Sequence, residues 1–287
     1  MIYQEKTKIL SNRKIKDNFY RCIFSAPRIA KHALPGQFVN VKVSDTCQPL
    51  LRRPFSIFRV RGTGYPPLKR WRAVRVQVEI LYAVVGEASR VLSQKKPGEY
   101  LDVIGPLGNG FDYRTPNPEP RTPVLVAGGM GVAPLVFLAE KLRKSTVPSF
   151  AKASEGRHSP QSTVLIGAKT KSQILCEKEF KGLNCEVKIA TDDGSRGFKG
   201  KVSGLLKHLL LTMDYRLWTI YTCGPRPMLQ QVSRISVDYN VPAQISLEEH
   251  MACGIGACLG CAVNTVDGYK RVCKEGPVFM ADEIIWE

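Results

Sequence analysis

The sequence of 287 residues has few acidic residues and few histidines. It contains 25 Asp and Glu against 42 Lys and Arg, and only four histidines. A net charge of +17 would ordinarily favour nucleic-acid binding, but no helix-turn-helix, zinc-finger or RNA-binding aromatic motif is present. The basic residues are spread along the chain, so we expect no nucleic-acid partner. We interpret the charge as a solvated surface that receives acidic partners or anionic cofactors.

The sequence also lacks a membrane-spanning pattern. Its longest apolar stretch, residues 123–139, is interrupted by glycines and a proline, which is typical of a strand, a turn and a helix. The first ten residues are polar and charged and lack the apolar core of a secretory signal. We therefore expect a cytoplasmic protein without a membrane span. Nine cysteines, an odd number, then indicate free thiols and metal ligands rather than disulfides.

Two changes of pattern divide the chain into three predicted domains. Residues 1–112 hold short β-type segments separated by Pro and Gly turns, which predicts an antiparallel β-barrel. Residues 113–244 alternate strands with helices, one of them expected over 171–180, which predicts an α/β domain with a parallel sheet. Residues 245–287 are too few for a core of their own, and units of this size usually need a metal or another cross-link, which the cysteines supply. The predicted fold class is therefore multi-domain.

The strongest motif is a group of four cysteines in the last predicted domain. Three follow the pattern C-x4-C-x2-C and the fourth lies further along, which is the spacing of plant-type ferredoxins that hold a 2Fe-2S cluster. Interleaved glycines favour this reading, because a loop around a cluster needs permissive backbone angles. A zinc site is the alternative, although zinc sites favour paired short spacings. The predicted ligands are Cys253, Cys258, Cys261 and Cys273.

A second motif, RRPFSI at residues 52–57, opens a predicted strand. An arginine offers a forked donor to a pyrophosphate, and a serine hydroxyl can bond the edge of a flavin. A basic strand edge without a ligand would look similar. The segment 81–83 and the helix start at residues 86–89 favour the flavin, because backbone N–H groups at a helix start bind phosphate.

A third motif, VLVAGGMGVAP at residues 124–134, follows a strand and opens a helix. Glycines there let the chain approach a dinucleotide pyrophosphate, although a turn needed only for packing is the alternative. Two later strand ends lie where ligands of a parallel sheet bind. The cysteine at one of them could equally be a buried, inert thiol. The predicted nucleotide contacts are Gly128, Gly129, Gly131, Asp192, Cys223, Gly224 and Pro225.

In this order the three motifs resemble the ferredoxin-NADP reductase superfamily. Within it, residues 105–111, 246–261 and 272–279 are similar to the electron-transfer subunits of dihydroorotate dehydrogenase. The resemblance covers nearly the whole chain. It implies FAD contacts at Arg53, Pro54, Phe55, Ser56, Leu81, Tyr82, Ala83, Ala88 and Ser89. The family usually has an arginine at position 83, a glycine at position 88 and a threonine at position 89, so the chain departs from it at three of these positions.

A nicotinamide exchanges two electrons as a hydride whereas a 2Fe-2S cluster carries one, so FAD is needed between them. The resemblance implies a separate, FMN-containing dihydroorotate dehydrogenase catalytic subunit, in a heterotetramer with two of each chain, which acts in pyrimidine biosynthesis. Electrons would run from it through the cluster and FAD to NAD. We see no acid-base or nucleophile constellation for dihydroorotate and predict no catalytic residue in this chain.

Three alternatives stay open. Lys169 and Lys171 follow the second strand of the nucleotide domain and could receive the 2′-phosphate of NADP, whereas the resemblance implies NAD. The chain could be the electron-transfer flavoprotein subunit of another NAD(P)H:ferredoxin-type or sulfide dehydrogenase complex. The third alternative is a non-enzymatic metal-binding or nucleic-acid-binding protein with a decayed nucleotide fold. Visible absorbance of a flavin and a cluster in the purified protein would exclude it.

Overall fold

The computed structural model describes residues 1–46, 48–62, 76–114, 122–145 and 162–286. The chain forms two compact units. The first unit comprises Met1–Gly110, Glu249–Ala262 and Lys270–Pro277, and the second comprises Phe111–Glu248, Val263–Tyr269 and Val278–Glu287. Residues beyond 248 therefore contribute to both units.

A closed antiparallel barrel lies in the first unit, with the strand order β1-β2-β5-β4-β3-β6. In the first half of β6 every second side chain is buried, including Leu101 and Val103. This is the period expected of a strand with one face on the core. The antiparallel barrel predicted from the sequence is thus confirmed. Its strands and helices are β1 (Tyr3–Lys16), β2 (Phe19–Ser25), α1 (Pro27–His32), β3 (Phe38–Lys42), β4 (Arg53–Arg61), β5 (Gln77–Ala83), α2 (Glu87–Gln94) and β6 (Tyr100–Leu107).

The first strand, β1, is absent from the sequence-based prediction. Its sequence, YQEKTKILSNRKIK, is polar and carries only two fully buried side chains, Thr7 and Ile9. It forms a strand because it pairs with both β2 and β6 and so closes the barrel. Closure supplies backbone hydrogen bonds on both sides of a segment whose side chains alone do not predict a strand.

A seven-stranded sheet lies in the second unit, in the order β10-β9-β8-β7-β11-β12-β15, and only β15 is antiparallel to its neighbour. The predicted α/β fold with a parallel sheet is confirmed. Its elements are β7 (Thr122–Gly128), α3 (Val132–Ser145), β8 (Thr163–Ala168), α4 (Glu177–Gly182), β9 (Glu186–Thr191), β10 (Phe198–Lys199), α5 (Val202–Thr212), β11 (Trp218–Cys223), α6 (Arg226–Asp238), β12 (Ala243–Ser246) and β15 (Val278–Met280). A separate hairpin pairs β13 (Ala262–Thr265) with β14 (Gly268–Arg271).

The order of the strands reverses between β7 and β11. Strands β8 and β9 extend the sheet on one side of β7, and β11 and β12 extend it on the other. In open α/β sheets, ligands bind at the carboxyl ends of the strands at such a reversal. None of the helices in the described ranges is long and apolar enough to cross a membrane.

The helix expected over residues 171–180 is wrong. The chain instead forms a 3-10 turn, Lys171–Gln173, then runs through the buried Leu175 and begins α4 only at Glu177. Cys176, just before α4, has a left-handed backbone with φ of 59°. A non-glycine residue in that conformation interrupts a right-handed helix, so the stretch cannot be continuous.

Candidate cofactor sites

The four cysteines lie in two segments of the first unit, the loop from Cys253 to Cys261 and the turn that contains Cys273. The Cys253 thiol interacts electrostatically with that of Cys258, and the Cys273 thiol with that of Cys261, which divides the four cysteines into two pairs. Among the described residues, no three His, Cys, Asp or Glu side chains are arranged to hold a single metal ion. A 2Fe-2S cluster takes two thiolates on each iron, whereas zinc needs ligands that converge on one centre. The cysteines therefore fit the cluster better than zinc.

Backbone N–H groups point at two of these sulfurs. Ala257 donates to Cys253 Sγ at 3.3 Å, and Cys273 donates to Cys261 Sγ at 3.4 Å. Burial by itself raises the pKa of Cys253, but hydrogen bonds from the backbone at Ile255 and from Cys258 outweigh it and lower the pKa to about 6. Burial and then Cys261 raise the pKa of Cys273 to about 12. The loop therefore favours a negative sulfur at Cys253, while Cys273 needs a bound metal to ionise.

The loop needs glycine at two positions. Gly254 and Gly256 have φ of +69° and +86°, which side chains rarely adopt. A Cβ at Gly254 would lie 2.3 Å from Asn40 Nδ2, and one at Gly256 would lie 2.7 Å from Lys274 Cδ. These glycines therefore allow both the turn of the loop and its close approach to neighbouring side chains.

The two predicted flavin segments come together in the barrel, because β4 and β5 are neighbouring strands. The Phe55 ring meets the Tyr82 ring edge-on, with 5.7 Å between their centroids. Tyr82 is buried and donates to Asn12 Oδ1 at 3.0 Å, and burial raises its pKa well above the ordinary value. Leu81 is also buried, whereas Ala83 is half-buried, so a ligand can reach Ala83 more easily than the Leu81 side chain.

The Arg53 guanidinium is oriented by the backbone. Its Nη1 donates to the carbonyls of Leu51 and Arg52 at 2.8 and 3.2 Å. The other guanidinium nitrogens have no partner among the described residues, so they are available to a phosphate. Pro54 and Ser56, like Arg53, are half-buried at the start of β4.

The Ser89 hydroxyl shapes the start of α2. It accepts hydrogen bonds from the backbone N–H groups of Val85 at 2.9 Å and Gly86 at 3.0 Å, and it donates to the Gly86 carbonyl at 2.9 Å. Its only proton is therefore already used. The first backbone N–H groups of α2, including that of the buried Ala88, are the better phosphate donors at this position.

The nucleotide motif lies at the strand reversal in the second unit. β7 ends at Gly128, a 3-10 turn covers Gly129–Gly131, and α3 follows. A Cβ at Gly131 would lie only 2.0 Å from the Cys223 carbonyl oxygen, and one at Gly224 would lie 3.0 Å from the Gly128 nitrogen. The structure therefore brings the glycine loop against the segment from Cys223 to Pro225. Asp192 follows β9, two strands away at the same edge, and its side chain is exposed.

Comparison with known proteins agrees with this arrangement. Residues 248–285 match the iron-sulfur cluster binding domain of dihydroorotate dehydrogenase B, and residues 125–234 match the oxidoreductase NAD-binding domain. The electron transfer subunit of dihydroorotate dehydrogenase B (NAD(+)) from Desulforamulus reducens is 42% identical over 98% of this chain and 97% of its own length. The chain belongs to this family. The corresponding subunit from Geobacillus kaustophilus is 36% identical over 99% of this chain and all of its own length.

Solved structures support the same fold for this member of the electron transfer subunit family. An NADH-dependent reduced ferredoxin-NADP oxidoreductase, studied for flavin-based electron bifurcation, is 26% identical, with a TM-score of 0.77 over 98% of this chain and 90% of that chain. A ferredoxin NADP+ reductase from Neisseria gonorrhoeae with bound FAD and NADP is 14% identical, with a TM-score of 0.61 over 82% and 91% of the two chains. The predicted superfamily and fold class are confirmed.

Two residues of this family member were missed by the sequence reasoning. Arg271 donates to the Gly256 carbonyl at 2.5 Å and pairs with Glu275, whose pKa it lowers to about 2. It therefore ties the cluster loop to the turn that carries Cys273. The signal available in the sequence was an arginine two residues before Cys273, a predicted cluster ligand.

The second missed residue, Glu248, follows β12 near Cys223. The residue is exposed at the surface, and the protein atoms packed around its carboxyl group raise the pKa by partial desolvation. Burial also raises the pKa of the fully buried Cys223 thiol, and the Glu248 carboxylate raises it further. The thiol is therefore neutral at physiological pH. An acidic residue directly after a strand at the ligand edge of the sheet was the signal for Glu248.

Proposed function

We propose that this chain passes electrons between NAD and an FMN-containing catalytic subunit that oxidises dihydroorotate to orotate in pyrimidine biosynthesis. The observation that carries the proposal is that one chain contains two cysteine pairs suited to a 2Fe-2S cluster, a flavin-type barrel and a nucleotide-binding sheet. When bound, FAD exchanges a hydride with the nicotinamide and single electrons with the cluster.

The residues of the chain bind and orient these groups. Arg53 and the backbone at the start of α2 hold the FAD phosphates, while Ser56 and Phe55 line the flavin. The loop from Gly128 to Gly131 receives the pyrophosphate of NAD at the strand reversal. We favour NAD over NADP because the relatives that cover the whole chain are named for NAD(+).

The catalytic subunit docks on the cluster loop in this proposal. Ile255 and Leu259 are apolar and 50% and 63% exposed, and Cys258 between them is exposed as well. Leu259 also has φ of 58°, a conformation that costs a non-glycine residue about 1 kcal/mol. Exposed apolar side chains around a redox centre favour a protein partner. A cytoplasmic location and a complex with two copies of each chain are further parts of the proposal.

The proposed division of labour is tested by mixing dihydroorotate, NAD and the cofactor-loaded chain, first alone and then with the candidate catalytic subunit. NADH should form only in the second mixture. Substantial NADH in the first, or none in the second with both proteins fully loaded, would overturn the proposal. Replacing Ile255 and Leu259 by Ser should weaken binding of the subunit without loss of cofactors. Val237→Ser, at a 60% exposed apolar residue of the second unit, is the matched control.

The flavin site is tested with Arg53→Ala. Loss of a charged hydrogen bond to a phosphate should weaken FAD binding by about 1.5 to 3 kcal/mol. Titration of the apoprotein with FAD, followed by flavin fluorescence, measures the change. Arg13→Ala, which removes an exposed arginine elsewhere in the barrel, should leave the affinity unchanged. Equal affinity in both variants would remove Arg53 from the site.

A second candidate function rests on the likeness to the NADH-dependent reduced ferredoxin-NADP oxidoreductase, which covers almost the whole chain. A subunit of such a complex would use the same three groups but another partner. The higher identity to dihydroorotate dehydrogenase B subunits favours the first proposal. NADH formation with dihydroorotate and the catalytic subunit discriminates between the two.

A further inference from the structure

One side chain of the barrel holds the backbone of the first cluster cysteine. Asn40 lies in the middle of β3, is 1% exposed, and donates from Nδ2 to the Cys253 carbonyl at 3.1 Å. The two residues are 213 positions apart in the sequence. Gly254 packs directly on the same amide, with room for no side chain of its own. Barrel and cluster loop, both in the first unit, are thus joined by a buried polar contact.

The other end of this amide is unsatisfied. Among the described residues, no donor reaches Asn40 Oδ1, although the atom is buried. A buried acceptor without a donor costs about 1 to 3 kcal/mol, and an apolar residue of similar shape would avoid that cost. Stability therefore does not explain an asparagine at this position. The contact from Nδ2 to Cys253 does.

The neighbours of Asn40 connect it to the flavin motif. In the register of β3 and β4, Asn40 lies directly opposite Pro54, and Val41 lies opposite Arg53. Side chains of directly opposite residues project from the same face of a sheet, so Asn40 and Pro54 share a face. A single amide therefore links the strand that neighbours the proposed flavin site to the backbone of a cluster ligand.

A second asparagine makes a comparable contact in a different setting. Asn109 donates from Nδ2 to the Glu275 carbonyl at 2.8 Å, close to the turn that carries Cys273. This contact is exposed, and the Asn109 backbone N–H also donates a hydrogen bond to the Gly276 carbonyl at 2.5 Å. Water and the backbone can therefore replace the Asn109 side chain, whereas among the described residues no second hydrogen bond joins Asn40 to the Cys253 loop.

We propose that Asn40 is a positioning residue that fixes the Cys253 end of the cluster loop against the flavin-side strand, so that electron exchange between flavin and cluster depends on it. The inference rests on the proposed function, in which electrons pass between NAD and the cluster through FAD. The test drives this exchange in reverse: NADH gives a hydride to FAD, one of its two electrons passes to the cluster, and the other stays on the flavin. Asn40 touches neither the nicotinamide nor any substrate. It acts through the position of Cys253.

The test uses the cofactor-loaded full chain with Asn40→Asp and Asn40→Leu. Asp keeps the shape of Asn but cannot donate when ionised, and Leu removes the unsatisfied acceptor while filling similar space. Stopped-flow mixing with NADH separates bleaching of the flavin from reduction of the cluster, which electron paramagnetic resonance also detects. We expect the flavin to be reduced at the wild-type rate, and the cluster about 10- to 100-fold more slowly, as for loss of a partner that orients a metal ligand.

One further variant, Gly254→Ala, tests the same contact, and two controls, Asn109→Asp and Gly268→Ala, separate the position of the loop from general damage. Asn109→Asp should leave cluster reduction unchanged, because its contact is exposed. Gly254→Ala adds a Cβ against the Asn40 amide and should slow cluster reduction like the Asn40 variants. Gly268→Ala has the same positive-φ strain, with φ of +96°, but no atom within 4 Å of the added Cβ, and should not slow it.

The outcomes separate this inference from the proposed function. If NADH fails to reduce the cluster in the wild-type chain, the proposed function is wrong. If the wild type works and both Asn40 variants, with normal iron and flavin content, reduce the cluster at the wild-type rate, Asn40 has no positioning role. An Asn40→Leu chain that is as heat-stable as the wild type yet slow in cluster reduction is the result that supports the inference.

Discussion

The cluster loop from Cys253 to Cys261 and the nucleotide loop from Gly128 to Gly131 are both rich in glycine, but for different physical reasons. In the cluster loop, Gly254 and Gly256 adopt positive φ, and most side chains are exposed. In the nucleotide loop, Gly131 is buried against the backbone of the neighbouring strand. The cluster loop is therefore shaped for its ligand, whereas the nucleotide loop is shaped by the sheet around it.

The largest effect should follow from removing one cluster ligand. Cys273→Ser leaves three thiolates for two irons, so iron and acid-labile sulfide should fall from about two each per chain to near zero. The cluster loop should then become sensitive to protease, while the nucleotide loop stays protected by its sheet. Metal analysis and limited proteolysis measure both effects. Cys176→Ser, outside the cluster, is the control, and a Cys273→Ser chain that kept its cluster would contradict the assignment.

A smaller effect is expected in the nucleotide loop. Gly131→Ala places a Cβ at 2.0 Å from the Cys223 carbonyl oxygen, which is backbone and cannot move away. The free energy of unfolding should fall by roughly 3 kcal/mol, as for overpacking in a core, and NAD binding should weaken with it. Gly129→Ala is the matched control, because its φ of +54° costs about 1 kcal/mol but its Cβ meets no atom within 4 Å. Denaturant titration compares the two, and equal losses would show that the close contact at Gly131 costs no more than the backbone strain at Gly129.

The smallest effect is expected at Cys223, the cysteine beside the nucleotide loop. Burial raises its pKa above the ordinary value, so raising the pH from 7 to 9 ionises an accessible thiol but leaves Cys223 protonated. Iodoacetamide should therefore modify the partly exposed Cys176 and leave Cys223 unmodified at both pH values. Mass spectrometry of peptides from the folded holoprotein makes the comparison. Rapid modification of Cys223 would show that the sheet opens to solvent at the carboxyl end of β11.

Most of the sheet and barrel strands could be predicted, because their apolar residues recur with the period of the element. The prediction fails where local pattern is weak. β1 is polar and forms a strand because it closes the barrel. The sequence of residues 171–180 is typical of a helix, but the left-handed backbone of Cys176 interrupts it. Both errors have the same cause, since a distant contact or a backbone angle decides the structure there.

The predicted cluster ligands could be recognised from the sequence, whereas the residues that support them could not. The spacing of the four cysteines predicts their role because a short loop must wrap around one cluster. Nothing local predicts that Asn40 donates to Cys253 or that Glu248 lies near Cys223. These contacts join segments that only the folded chain brings together.

The sequence by itself therefore determined the kinds of chemistry, namely a thiolate cluster, a flavin motif and a glycine loop for a dinucleotide. Each of these motifs is defined by residue types at short spacing, so a short segment of the sequence is enough to recognise it. The tertiary structure alone decided how the cysteines divide into two pairs, why Gly131 can carry no side chain, and which barrel residue holds Cys253. The physical reason is that burial, hydrogen bonding and close packing depend on residues far apart in sequence, whose distances the local pattern does not encode.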